Sequence, residues 1–340
     1  MLKKDLGLLL LILVVGTTVA LINPRFISPV NLANTANLIG LFGLFSLGEG
    51  LVIITGGIDL SVGSMFALLG VIFIDLLVTF DVPWPVAVLI TVAAGLALGS
   101  IHGFLITKMR MQPFVVTLCG LLLYRGIARF YTDDGTAGFA FGQSFPMLEW
   151  LTTGRTWGIP HSFMAFALVA VAMAVLLHRS VYGRYLFAVG RNEEAARYSG
   201  IDTRIVVACA YIICGALAGL SAVFLAMYTR SISPASHGNF YELYGIAAAV
   251  LGGCSLRGGE GTILGIVLGT ILLQVLQNLV NLLGIPSSLN FAVMGAVILI
   301  GVLADQQFGA YRQRALRRRE AQARQIIPVP SAPSPRGTSA

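Results

Sequence analysis

The sequence predicts an all-α, polytopic integral membrane protein with about ten transmembrane helices and both termini in the cytoplasm. Three observations carry that fold class. Of 340 residues, 56% are hydrophobic and 11% charged, with a mean hydropathy of +0.85, whereas soluble domains carry roughly 25% charged residues. The apolar residues come in continuous runs of about 17 to 25, the length that crosses a hydrocarbon core of roughly 30 Å at 1.5 Å per residue. The runs are unbroken rather than alternating, which fits helices and not barrel strands.

The spans are expected near 7–23, 34–55, 60–80, 85–106, 113–131, 161–178, 205–228, 243–255, 262–282 and 286–305. The first run is too long for a signal peptide and lacks a small-residue cleavage site after it, so it reads as a helix. Orientation follows the basic residues of the short loops. Lys3, Lys4, Lys108, Arg110, Arg179, Arg184, Arg191, Arg197, Arg204 and Arg257, with seven arginines after Phe308, fall on one side of an alternating arrangement and make 17 of the 22 Lys and Arg. Only Arg25, Arg155 and Arg230 lie in the opposite loops. The net charge of +7 is thus a topology signal and does not point to nucleic acid. Residues 1–308 read as the permeating domain and 309–340 as a basic cytoplasmic tail, disordered from about Ile327, whose cluster Arg312–Arg324 suits anionic lipid headgroups.

Within the second apolar stretch, Leu51–Gly63 reads LVIITGGIDLSVG. Paired glycines break a lipid-compatible run and one carboxylate follows, a combination tolerated only where protein or an aqueous cavity covers it. Gly56, Gly57, Asp59, Ser61 and Gly63 are therefore candidates for a translocation pathway or a hinge. The stretch is echoed by Gly252-Gly253-Cys254-Ser255-Leu256, with Gly259 at the spacing of Gly63, as repeated halves in transporters would produce; Gly252 and Gly253 join the hinge candidates. Glycines four apart at Gly95, Gly99 and Gly103, at Gly215 and Gly219, and at Gly261, Gly265 and Gly269 prepare close helix approach, inside the bundle or between subunits.

The longest inside loop, Arg179–Arg204, contains Asn192-Glu193-Glu194-Ala195-Ala196-Arg197. An N-cap residue, acids in the first turn, a later base and a stop at Gly200 describe a short helix outside the membrane. His102, His161, His178 and His237 fall singly near span ends and read as interfacial. Cys119, Cys209, Cys214 and Cys254 lack metal-ligand spacing, and neither a disulfide nor a metal is expected. There is no GxxxxGK[ST] phosphate loop, GxSxG elbow or HExxH pair. The chain is not read as an enzyme, no cofactor is expected, and any ATP must be handled by another chain.

These motifs resemble a family. ITGGIDLSVGS at 54–64, QPFVVTL at 112–118 with YRG at 124–126, AVGRNEEAARYSGI at 188–201 and GGCSLRGGEGT at 252–262 are similar to the permease subunits of bacterial ABC importers of the ribose type, over the chain to about Asp305. The resemblance implies a permease that forms the pathway for a monosaccharide or small polyol with a second permease copy or paralogue. It also implies two cytoplasmic ABC ATPase domains, an extracytoplasmic sugar-binding protein, and a multi-pass place in the bacterial inner membrane. Arg191, Asn192, Glu193, Glu194, Ala195, Ala196 and Gly200 then correspond to the segment that couples to the ATPase. Two positions depart from the family pattern. Arg257 adds a cation to the second glycine motif, and Glu49 stands where similar proteins carry an apolar or thioether side chain. An intramembrane carboxylate needs a partner, and Arg125 is the expected one.

Two other classes compete. An ion-driven secondary transporter would use Asp59, Glu49 or Asp75 as a proton site and would transport without ATP. An intramembrane enzyme would need paired catalytic residues at one depth, where the sequence offers scattered single acids.

Overall fold

The computed structural model describes residues 2–286, with side chains from Asp5 onward, together with Leu289, Ala292, Gly295, Ala296 and Leu299. One unit covers Met1–Ile298 and a second covers Leu299–Ala340. Most of the expected span at 286–305 and all of the tail at 309–340 lie outside the described residues.

Twelve α-helices of the first unit occur in order among the described residues: α1 Leu2–Ile22, α2 Pro29–Ile54, α3 Val62–Val78, α4 Trp84–Thr107, α5 Pro113–Tyr131, α6 Pro146–Thr153, α7 His161–Arg179, α8 Val181–Arg191, α9 Glu193–Tyr198, α10 Thr203–Thr229, α11 Tyr241–Leu251 and α12 Ile263–Leu282. Seven of them are long and apolar enough to cross a membrane: α1 from Asp5, α2, α4, α5, α7, α10 and α12. Nine of the ten expected runs coincide with a helix. The fold is all-α and polytopic.

Helix starts follow from side-chain caps. Ser28 accepts from the Asn31 amide with Pro29 in the first turn, so α2 begins earlier than hydropathy suggests. Asp202 caps α10 and Thr262 caps α12 in the same way. Almost every residue of α2 from Ile39 onward is buried, as its apolar circumference requires. It is the central post of the bundle. α1 is held at the periphery by Val19 and Phe26 against Val275 of α12.

The glycine stripes are seams within the chain. A Cβ added at Gly95 would collide with the Gly215 carbonyl, one at Gly99 with the Tyr211 carbonyl, and one at Gly215 with the Gly95 carbonyl. α4 and α10 therefore cross backbone to backbone. Gly265 and Gly269 of α12 meet the carbonyls of Gly252 and Ala248 in the same manner.

Two apolar helices at expected spans are short. α3 has 17 residues and α11 has 11, and 11 residues rise only about 16 Å. The expected span at 243–255 is helical as far as Leu251, its helix beginning at Tyr241 after the non-helical stretch 230–240. On the side of α6, short strands tie the loops. β1 Ala137–Gly138 pairs with β4 Ser231–Ile232, and β2 Arg155–Thr156 pairs with β3 Ile159–Pro160 across Trp157 and Gly158, both at positive φ as a two-residue hairpin turn demands. Arg230 donates to Glu149 at 2.8 Å, which together with the Phe145 amide holds that carboxyl below the usual carboxylate range.

Candidate functional site

α2 ends as its sequence directs. Gly56 sits at φ +85°, its amide bonds to Ile53 O at 2.9 Å, and the Gly57 amide reaches back five residues to Val52 O at 3.1 Å, the closing pattern that a glycine in the left-handed region makes possible. α11 closes identically, with Gly253 at φ +89° and the Cys254 amide on Ala249 O at 2.9 Å. The echo is therefore structural, but its register differs from the one the letters suggest. Gly56 corresponds to Gly253 rather than to Gly252, and Gly63 no longer pairs with Gly259.

Asp59 lies in the break and is fully buried. Its Oδ1 accepts from the Ser61 amide at 2.9 Å and from the Ser61 hydroxyl at 2.6 Å, a local turn that feeds directly into α3. Its Oδ2 faces Nδ1 of His102 on α4 at 3.6 Å, and Nε2 of the same ring shares a proton with the Tyr124 hydroxyl on α5 at 2.8 Å. Gly120 leaves the space that this imidazole fills, since a Cβ there would stand 2.8 Å from Nε2. Two further hydroxyls, Thr117 and Tyr211, donate to Ile58 O at 3.3 Å each. One non-helical stretch is thus fastened to α4, α5 and α10 through polar contacts, deep within the bundle.

Glu49 is also fully buried and accepts from the Asp59 amide at 3.2 Å. The expected Glu49–Arg125 pair does not form. Arg125 instead donates to the carbonyls of Pro234 and His237 at 2.6 Å each, pinning the stretch before α11. Glu242, in the first turn of α11, and the Gly238 carbonyl press against Gly63, so three carboxyl groups gather near the start of α3. A helix N-terminus offers partial positive charge to such groups, as broken helices of transporters do for anionic groups.

His102 was expected at the interface, yet it is 1% exposed. A signal existed. His102 follows Gly99 by three residues, placing it on the face the glycine stripe marks as buried. Tyr124 and Tyr211 carried no comparable signal.

The segment of Arg191 to Gly200 forms the expected short helix. Asn192 Oδ1 accepts from the Ala195 amide at 2.9 Å, Glu193 accepts from Thr203 at 3.0 Å, and Gly200 at φ +85° terminates α9. Ala196 is buried beneath it, while Arg191, Glu194 and Ala195 are exposed and Tyr198 is 83% exposed. The Arg197 guanidinium lies 5.9 Å from the centroid of this exposed ring. A cavity of about 440 Å³ separates α9 from the α2 break, with Thr55, Gly56, Arg110, Glu194, Arg197 and Tyr211 in its wall.

A family model described as branched-chain amino acid transport system / permease component matches residues 31–302. The chain belongs to this permease family. Among curated relatives, the ribose import permease protein RbsC of Escherichia coli K12 is 37% identical over 305 residues, covering 90% of this chain and 93% of its own length. The ribose import permease of Bacillus subtilis 168 is 38% identical over 306 residues, with 90% and 92% covered. The D-allose transport system permease protein AlsC of Escherichia coli K12 is 31% identical over 281 residues, with 83% and 85% covered. No solved structure matches the chain with significance. The matched residues 31–302 include the α2 break, His102, Tyr124 and α9.

Proposed function

We propose that the chain is the membrane-spanning subunit of an ATP-driven importer, carrying a monosaccharide or similar small polyol through the bacterial inner membrane. The observation that carries this reading is similarity to sugar permeases along nine tenths of both chains. It favours ATP-driven import over an ion-driven carrier. The permease's own work is non-covalent: the breaks at 55–61 and 252–262 rearrange while partner ATPases open and close, and a second permease copy or paralogue completes the pathway. An extracytoplasmic binding protein delivers the sugar.

The α8–α9 segment is the surface on which the ATPase docks, because it combines a rigid, capped helix with an exposed aromatic tip. The experiment is reconstitution of the permease with its ATPase and binding protein. Tyr198→Ala with Glu194→Arg, both at exposed positions, should leave the permease inserted and monodisperse while ATPase co-purification and sugar uptake fall about tenfold, the size of a typical coupling energy. Unchanged uptake and ATPase recovery would rule out α9 as the docking element.

The same reading places both termini and α9 in the cytoplasm, with α6 and its strands outside. Single cysteines at Ser144 and Ser199, in a background without the four native cysteines, should react with a membrane-impermeant maleimide from opposite sides. Reaction of both from the outside would overturn the ten-span orientation.

A further inference from the structure

The end of α8, the end of α2 and the loop 252–262 meet at one point without side chains between them. The Gly259 amide donates to Ile54 O at 2.8 Å. A Cβ at Gly190 would collide with Ile54 O and stand 2.5 Å from the Gly259 nitrogen; one at Gly258 would stand 2.6 Å from Gly190 O and 2.9 Å from the Gly56 nitrogen; one at Gly259 would stand 2.9 Å from the Arg191 nitrogen. Gly258 and Gly259 both occupy positive φ, at +82° and +74°, which fixes glycine at these positions for conformational as well as steric reasons.

We infer that Gly190, Ile54, Gly258 and Gly259 form a rigid joint that carries movement of α8–α9 into both glycine breaks at once. Backbone packed on backbone has no rotamer to absorb a displacement, so a shift of the α8 end passes to its neighbours undiminished. Asn192, two residues beyond Gly190, caps α9, so the lever arm is short. The joint touches the C-terminal end of α2 one residue before its closing turn, and it lies inside the loop that follows α11. One input therefore reaches both halves of the echoed pair. The inference rests on α8–α9 being the docking segment.

Two measurements test it. The first uses the wild-type transporter assembled with its ATPase and binding protein, comparing hydrogen exchange in peptides that contain Gly259 with and without bound ATP. A joint that moves as one body keeps the Gly259 amide equally protected in both states. Exchange accelerated about tenfold or more in either state would show the Gly259–Ile54 bond opening during the cycle and would overturn the inference. The second uses Gly190→Ala, whose methyl wedges the joint while leaving the α9 surface intact. ATPase co-purification should be unchanged and uptake should fall about tenfold. Wild-type uptake in Gly190→Ala overturns the joint. Lost uptake together with lost ATPase binding would place the fault in docking, which the Tyr198 and Glu194 variants report separately, and the exchange measurement still decides the joint should Gly190→Ala fail to fold.

Discussion

Gly215→Leu should abolish the folded permease. The Cα of Gly215 faces the carbonyl of Gly95, and a Cβ there would also stand 3.1 Å from the Gly99 Cα; all of these neighbours are backbone and none can rotate away. Overpacking a seam between two flexible side chains costs about 1–3 kcal/mol and occasionally more, and here α4 and α10 must separate bodily. We expect aggregated or degraded protein, with any detergent-extracted fraction lowered strongly in thermal midpoint. Gly126→Leu is the control, because nothing lies within 4 Å of a Cβ at that position, and its effect should stay within about 0.5 kcal/mol. Size-exclusion profiles and thermal unfolding in detergent compare the two. Equal behaviour would mean that the α4–α10 crossing is looser than the structure shows.

Asp59→Ala should rank second. It removes the acceptor for the Ser61 amide and hydroxyl and leaves His102 without its carboxylate. Leaving the buried Ser61 amide and hydroxyl without their acceptor costs about 1–3 kcal/mol for each unsatisfied donor. Asp59→Asn keeps an oxygen for Ser61 and should lose less. Thermal midpoints of both variants, read beside sugar uptake, separate a stability role from a gating role. Comparable midpoints for Asp59→Ala and wild type would mean that the break is held by its hydroxyl donors Thr117 and Tyr211 instead.

What the sequence showed depended on whether the deciding partner was local. α5 was legible to the residue, since Pro113 opens it and no apolar residue follows Tyr131 until Ala137. The closing turns of α2 and α9 were equally plain, because a glycine in the left-handed region is required by its own neighbours. The Glu49–Arg125 pairing failed because both partners of Arg125 are carbonyls, on Pro234 and His237, and a backbone carbonyl is the same in every sequence. The bounds of α11 within the span expected at 243–255 were hidden for a related reason. Its apolar letters are compatible with lipid or with protein, and they do not show that the helix closes at Gly252 or that Glu242 packs against Gly63. In the candidate site, Asp59, Gly56 and Asn192 announced themselves through local turn and cap chemistry, whereas Tyr124 and Tyr211 act at long range and carried no local mark.

The brevity of α11 bears on how the chain is made. The stretch 230–240 that leads into this short helix finds the donors for its Pro234 and His237 carbonyls on another helix. Its receptors, the Arg125 guanidinium on α5 and the groove at Gly63 on α3, are synthesised more than a hundred residues earlier and are already waiting when Pro234 to Glu242 emerge. Biogenesis in order of synthesis is therefore written into the contacts, and the late half of the protein matures upon a template supplied by the early half.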